Sequence, residues 1–170
     1  MTSREVIDYI ENIGIQKLYK KFEIYFKKVD TWSEIFATGD LLDEYQLSKA
    51  LDELTGVYCR FNIIAGAIDA YKTNKELNFK VTEFKACSGK PNVSQINELA
   101  RESTKELRTY RADFLNYAES AEKGIGTCQS RLKRLTVEKG AREVDFTGET
   151  PCKHDNITSP DKVSWEIKEN

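Results

Sequence analysis

Lys17, Lys20, Lys21, Lys27 and Lys28 crowd one short stretch of the chain against a single acid, Glu23, with Tyr19 and Tyr25 interleaved among them. Lysines neutralise backbone phosphates and exposed tyrosines stack on bases, so these residue types at this density suit contact with single-stranded nucleic acid. Two other readings compete. The stretch is also the pattern of a helix that packs its aromatics and leaves its lysines in water, or of a helix lying on a membrane surface. A second basic group, Lys80, Lys85 and Lys90, flanks a candidate turn and is a second candidate phosphate contact. Arg101, Lys105, Arg108 and Arg111 lie among Glu102 and Glu106 at spacings that suit a salt-bridged, solvated helix face. Arg131, Lys133, Arg134, Lys139 and Arg142 are placed to complement the dipole at a helix C-terminus.

Catalytic chemistry has no foothold in the pattern. Cys59, Cys87, Cys128 and Cys152 are far apart with no CxxC pair, and the single histidine, His154, completes no ligand set with Cys152. The cysteines read as small buried hydrophobes in a reducing compartment. Nucleophile elbow, P-loop, dinucleotide fingerprint and HExxH are all missing, so the expectation is a protein that is not an enzyme and needs no cofactor or metal. Asn92-Val93-Ser94 and Asn156-Ile157-Thr158 match the glycosylation sequon, but the chain shows neither a signal peptide nor a long apolar run. No membrane association is expected, and the location follows as cytoplasmic or packaged in a particle. A net charge of −2 supplies no global attraction to nucleic acid, so any such binding rests on a local patch.

The elements that position these residues read as helices. Leu47, Leu51, Leu54, Tyr58, Phe61, Ala65 and Ile68 alternate four and three apart, the seam of a coiled coil within one helix over Leu41–Ser88. A new stripe at Leu77, Val81 and Phe84 then marks a change of winding or partner. Asp40 after Gly39 is the candidate N-cap, and Ser88-Gly89-Lys90-Pro91 the stop. Ala100, Ser103, Leu107, Tyr110, Phe114, Tyr117, Ala121, Gly124 and Cys128 continue the alternation in a second helix to about Lys139, with Gly124 and Gly126 as a candidate kink. The short connection makes the two helices antiparallel.

Ahead of this hairpin, Thr2-Ser3-Arg4-Glu5 is a capping box for a short helix interrupted by Gly14. The lysine-rich segment follows, and Thr31-Trp32-Ser33-Glu34 resembles another cap, with Trp32 as an anchor to the hairpin or to a second subunit. Gly56, Gly66, Ala65, Ala67 and Ala70 fill a narrow seam or admit another helix.

The fold class is therefore all-α: a long antiparallel, coiled-coil-like helical hairpin (41–139), short N-terminal helices (2–38) packed on it, and an extended polar C-terminal tail. Residues 1–139 form the helical domain and 140–170 the tail, which carries seven acids against four bases. Val144/Phe146 and Val163/Trp165/Ile167 are short alternating runs in it. The second run is the better candidate for a protein partner, by adding to a sheet edge or docking on a surface. A two-helix hairpin holding two glycines in one helix has little core of its own, so a homo-oligomer is the expected completion.

From Leu77 to Lys90, where a basic, aromatic helix ends in Ser88-Gly89-Lys90, and again at Leu107-Arg108-Thr109-Tyr110-Arg111-Ala112-Asp113-Phe114-Leu115, the chain resembles the UvsY-type recombination mediators of tailed phages. The resemblance spans residues 41–138. It implies a ring-forming helical protein that binds single-stranded DNA and loads a recombinase against a single-strand-binding protein, with Lys80, Lys85 and Lys90 in the place of the family's basic positions. It also implies the cytoplasm of an infected host cell. The alternative is a virion structural or assembly protein that acts by helix packing and tail-mediated contacts.

Overall fold

The computed structural model describes residues 1–87 and 92–147, and these form five helices and no strand. The all-α class is therefore shown. The chain comprises two compact units, Met1–Arg134 and Leu135–Asn170; four of the helices and most of the fifth belong to the first. Lys90 and the rest of segment 88–91, expected to turn, lie outside the described residues, as do Cys152, His154 and the run Val163, Trp165 and Ile167.

Helix α1 (Ser3–Asn12) opens on the expected capping box. The Thr2 hydroxyl accepts from the Glu5 N–H at 3.4 Å, and the Thr2 N–H donates to Glu5 at 3.0 Å. Gly14, at φ +103°, turns the chain into α2, a conformation that side chains other than glycine's resist. Helix α2 (Ile15–Thr38) is continuous, so Thr31-Trp32-Ser33-Glu34 does not start a new helix. The Thr31 hydroxyl donates back to the Lys27 carbonyl at 2.8 Å, inside the helix. Gly39, left-handed at φ +74°, ends it.

The cap of α3 (Glu44–Ala86) is Asp43, not Asp40. Asp43 accepts from the Gln46 N–H at 2.7 Å, and the Gln46 side chain returns the bond at 3.0 Å. Asp40 instead accepts from the Thr38 hydroxyl.

The returning segment is broken where one helix was expected. Helix α4 (Val93–Glu102), capped by Asn92, stops at Ser103-Thr104, and α5 (Lys105–Thr147) begins there. Both hydroxyls bond back to carbonyls of α4, a competition with helix continuation. The buried Thr104 hydroxyl also sits 2.6 Å from Glu76 on α3. Helix α5 then runs past Lys139 and Gly140 to Thr147, so residues 140–147, expected in the extended tail, are helical. Val144 and Phe146 fall on this helix rather than on a strand-like run.

Cross-helix pairs give the directions. Phe22 and Tyr25 meet Phe61 and Arg60, while Lys28 and Trp32 meet Glu53, so numbers rise on α2 as they fall on α3. Glu76, Asp69 and Phe61 meet Arg108, Arg111 and Phe114 on the returning helix in the same falling order. Gln16, Phe26 and Phe36 meet Glu106, Phe114 and Arg131 with numbers rising together. Helices α2 and α5 are therefore parallel, and α3 runs against both.

Phe26, Phe61 and Phe114, one from each helix, meet with centroids 5.0–5.4 Å apart at the bundle axis. The three-sided packing explains why α3 buries two stripes. Leu47, Leu54, Phe61, Ala65 and Ile68 belong to the seam read from spacing; Ala50, Val57, Ile64 and Ala67 form another beside it.

Small residues divide accordingly. Ala65 and Ala67 fill the core, whereas Gly56, Gly66 and Ala70 are exposed. Cys128 is buried, and burial pushes its thiol above the ordinary range; Cys59 and Cys87, expected to be buried, are exposed. Helix α5 runs unbroken through Gly124 and Gly126, and these two glycines behave differently. A Cβ on Gly124 would lie 2.7 Å from the Cδ1 of buried Leu54, whereas one on Gly126 would meet nothing. Gly124→Ala is expected to destabilise by about 1–2 kcal/mol through overpacking. Gly126→Ala should stabilise by up to about 1 kcal/mol through helix propensity. Denaturant midpoints of the two variants check the contrast.

Candidate nucleic-acid interface

The lysines of α2 stand where its amphipathic pattern leaves them. Ile15, Leu18, Phe22, Phe26 and Val29 turn inward, and Lys17, Lys20, Lys21 and Lys27 are exposed on the outer face, with Lys28 half-buried at its edge. Ile24, on the same outer face, is 62% exposed. This arrangement results from one helix stripe being consumed by the core, which leaves the opposite stripe basic around a single apolar residue.

Beside that face, α2 and α3 form a groove. Its upper cleft, of about 340 Å³, is lined by Lys21, Phe22, Ile24, Tyr25, Arg60 and Ile64, with Met1 at its edge ahead of α1. Its lower cleft, of about 320 Å³, shares Ile24 and adds Lys27, Lys28, Trp32, Lys49 and Glu53. Lys49 and Arg60, which reading along the chain missed, come from α3. They were findable only by their helical spacing from Glu53, four residues before it and seven after, beside the apolar seam.

The groove's charges are mostly cationic. Lys27 pairs with Glu23 at 3.1 Å and Lys28 with Glu53 at 3.4 Å. No acid of the described residues lies within ion-pair distance of Lys17, Lys20, Lys21, Lys49 or Arg60. Glu53 accepts from the Trp32 indole at 3.0 Å, and that bond, then Lys28, holds its carboxyl below the usual range despite partial burial. Trp32 thus anchors α2 to α3. Lys21 lies 5.1 Å from the centre of the Tyr9 ring, and Arg60 covers Tyr25 at 4.9 Å while donating to its hydroxyl.

Other candidates are placed differently. Tyr19 faces inward, 4.8 Å from both Phe26 and Tyr110, so it is no stacking platform. Burial, then Asp113, raises its pKa. Lys17 faces a separate cleft at the Gly14 turn with Tyr71, Lys75 and Glu106. Lys80 is half-buried and Lys85 exposed on α3. They stand about 40 and 48 Å along that helix from Glu53 and line neither cleft of the groove. Arg131 does not serve the end of its own helix. It donates to the Asp40 and Phe36 carbonyls at 3.0 and 3.4 Å, and so closes the C-terminal end of the parallel α2.

Glu76 ties α3 to the α4–α5 junction. Burial opposes its charge, but bonds from Thr104 and Arg108 outweigh it and set its pKa below the ordinary 4.5. Because the folded value is the lower one, this stabilisation is complete above 4.5 and fades as pH falls through the folded value. Glu76→Gln is expected to be less stable than the parent at neutral pH, with the difference shrinking in acid; thermal melts at several pH values measure it.

Among the described residues no group of His, Cys, Asp and Glu could hold a metal, and no helix is long and apolar enough to cross a membrane. No family model matches the chain, and neither a curated protein nor a solved structure resembles it significantly.

Proposed function

We propose that this chain is a non-enzymatic, self-associating accessory protein that binds single-stranded nucleic acid along the outer face of α2 and its groove with α3. The observation that carries the reading is the convergence of Lys21, Lys27, Lys28, Lys49 and Arg60, from two helices, around the exposed Ile24, with Glu53 as the groove's own acid. Cations on both walls suit a flexible phosphate backbone that passes between them, and Ile24 and the edge of Trp32 offer apolar surface to unstacked bases. The resemblance to recombination mediators points the same way and supplies the expectation of a replication or recombination partner. The C-terminal run Val163, Trp165 and Ile167 is the proposed contact for that partner. Lys80, Lys85 and Lys90 form a separate, second patch.

The alternative, a virion structural protein acting by helix packing, draws on the exposed Leu77, Val81 and Phe84. Fluorescence anisotropy of a labelled single-stranded oligonucleotide against salt separates the two. Four phosphate contacts predict a slope of about −3 in log K against log salt, and so a loss of roughly fifty-fold between 50 and 200 mM. Binding that is absent at 50 mM, or insensitive to salt, rules the nucleic-acid reading out.

A further inference from the structure

The face of α3 opposite the core carries a pattern that the bundle does not use. Gly56, Cys59, Ile63, Gly66, Ala70, Asn74, Leu77, Val81 and Phe84 are all exposed, and none is charged. Ile63, Leu77, Val81 and Phe84 are 40–58% exposed, a run of large apolar side chains without cover. Beside Gly56 and Gly66 an added Cβ would meet nothing. Over these positions the spacing averages about 3.5 residues, the period of a seam that packs against another helix. Exposed apolar residues in a continuous row, rather than scattered singly, mark an interaction surface.

The order of spacings along the row is the same read from either end, and its centre is Ala70. Sizes are distributed oppositely: the N-terminal half holds Gly56, Cys59 and Gly66, the C-terminal half Leu77, Val81 and Phe84. We propose that two copies of the chain pair through this face, α3 antiparallel to α3, about a two-fold axis at Ala70. That axis sets Phe84 against Gly56, Val81 against Cys59, Leu77 against Ile63 and Asn74 against Gly66, so each large side chain meets a small partner or a similar one. Ala70 meets its own copy, where small residues permit close helix approach. An isologous contact requires such self-complementarity, and an unrelated partner does not.

The row is about 42 Å long and about 10 Å wide, so it buries on the order of 800 Å² in total. That is below the size of a standard stable interface and matches a reversible, concentration-dependent dimer. The proposal names the surface of the self-association contained in the proposed function and rests on that part alone, independent of nucleic-acid binding.

Sedimentation velocity of the full chain from about 1 to 300 µM tests it, with Ala70→Glu as the disrupting variant, because Ala70 is exposed and its replacement leaves the core intact. The parent should shift from monomer to dimer across this range, and Ala70→Glu should stay monomeric with unchanged helical circular dichroism. In a chain whose Cys59, Cys87 and Cys152 are serine, Ala70→Cys should give a disulfide-linked dimer on mild oxidation. Ser120→Cys, on the exposed face of α5, should not. A parent that stays monomeric throughout assigns the face to a different protein and overturns the proposal, as does a dimer that Ala70→Glu leaves intact. Salt separates this result from the nucleic-acid reading, since an apolar seam holds at salt concentrations that strip phosphates from lysines.

Discussion

Phe61→Ala is expected to lower the unfolding free energy by about 3–5 kcal/mol, enough to unfold much of the population of a marginally stable domain. Phe61 is fully buried and touches the rings of Phe22, Phe26, Phe114 and Tyr117, so its removal opens a cavity that all three bundle helices share. No neighbour can collapse into the space without moving its own helix. Phe61→Leu keeps most of the volume and should cost less than half as much. Urea unfolding followed by circular dichroism reads both variants. A loss below about 1 kcal/mol for Phe61→Ala would mean that α2, α3 and α5 do not share this core.

The second large effect concerns binding. Reversal of four groove cations in Lys21→Glu/Lys28→Glu/Lys49→Glu/Arg60→Glu should weaken affinity for a single-stranded oligonucleotide at least about 100-fold at 50 mM salt, because four attractive phosphate contacts become repulsive ones. Lys80→Glu/Lys85→Glu, about 30 Å or more along α3 from Arg60, should change it only about two- to five-fold. All six positions lie at the surface or its edge, so helical content should be retained in both variants. Equal losses from the two variants would place the contact over the whole chain and not in the groove. Anisotropy titrations at fixed salt measure the ratio directly.

Much of the architecture is visible in local pattern, because local rules decide it. The capping box at Thr2–Glu5, the turn at Gly14 and the lysine face of α2 follow from residue type and helical period alone. What reading along the chain could not reach depends on partners distant in sequence. The apolar alternation through Ala100, Ser103 and Leu107 continues without interruption, yet the helix breaks there, where the Ser103 and Thr104 hydroxyls turn back onto α4 and Glu76 of another helix holds Thr104. The cap of α3, by contrast, was within reach of local pattern, since Asp43 and not Asp40 has a Gln three residues on to close a capping box. Tyr19 shares a stretch with the lysines, but the parallel α5 covers it with Tyr110 and Phe114. The groove was half visible. Its α2 wall is a charge cluster in sequence, whereas Lys49 and Arg60 join it only once α3 has been turned to face α2.

Photo-crosslinking locates single-stranded nucleic acid in the α2–α3 groove or elsewhere on the chain. A thiothymidine-substituted oligonucleotide is irradiated with the full chain and the adducts are mapped by mass spectrometry. Adducts are expected on the groove-lining peptides of α2 and α3, centred on Tyr25 and Trp32, and should disappear in the four-cation variant; such a result places the nucleic acid in the groove. Adducts confined to α4 and α5, or none at low salt, would contradict that placement.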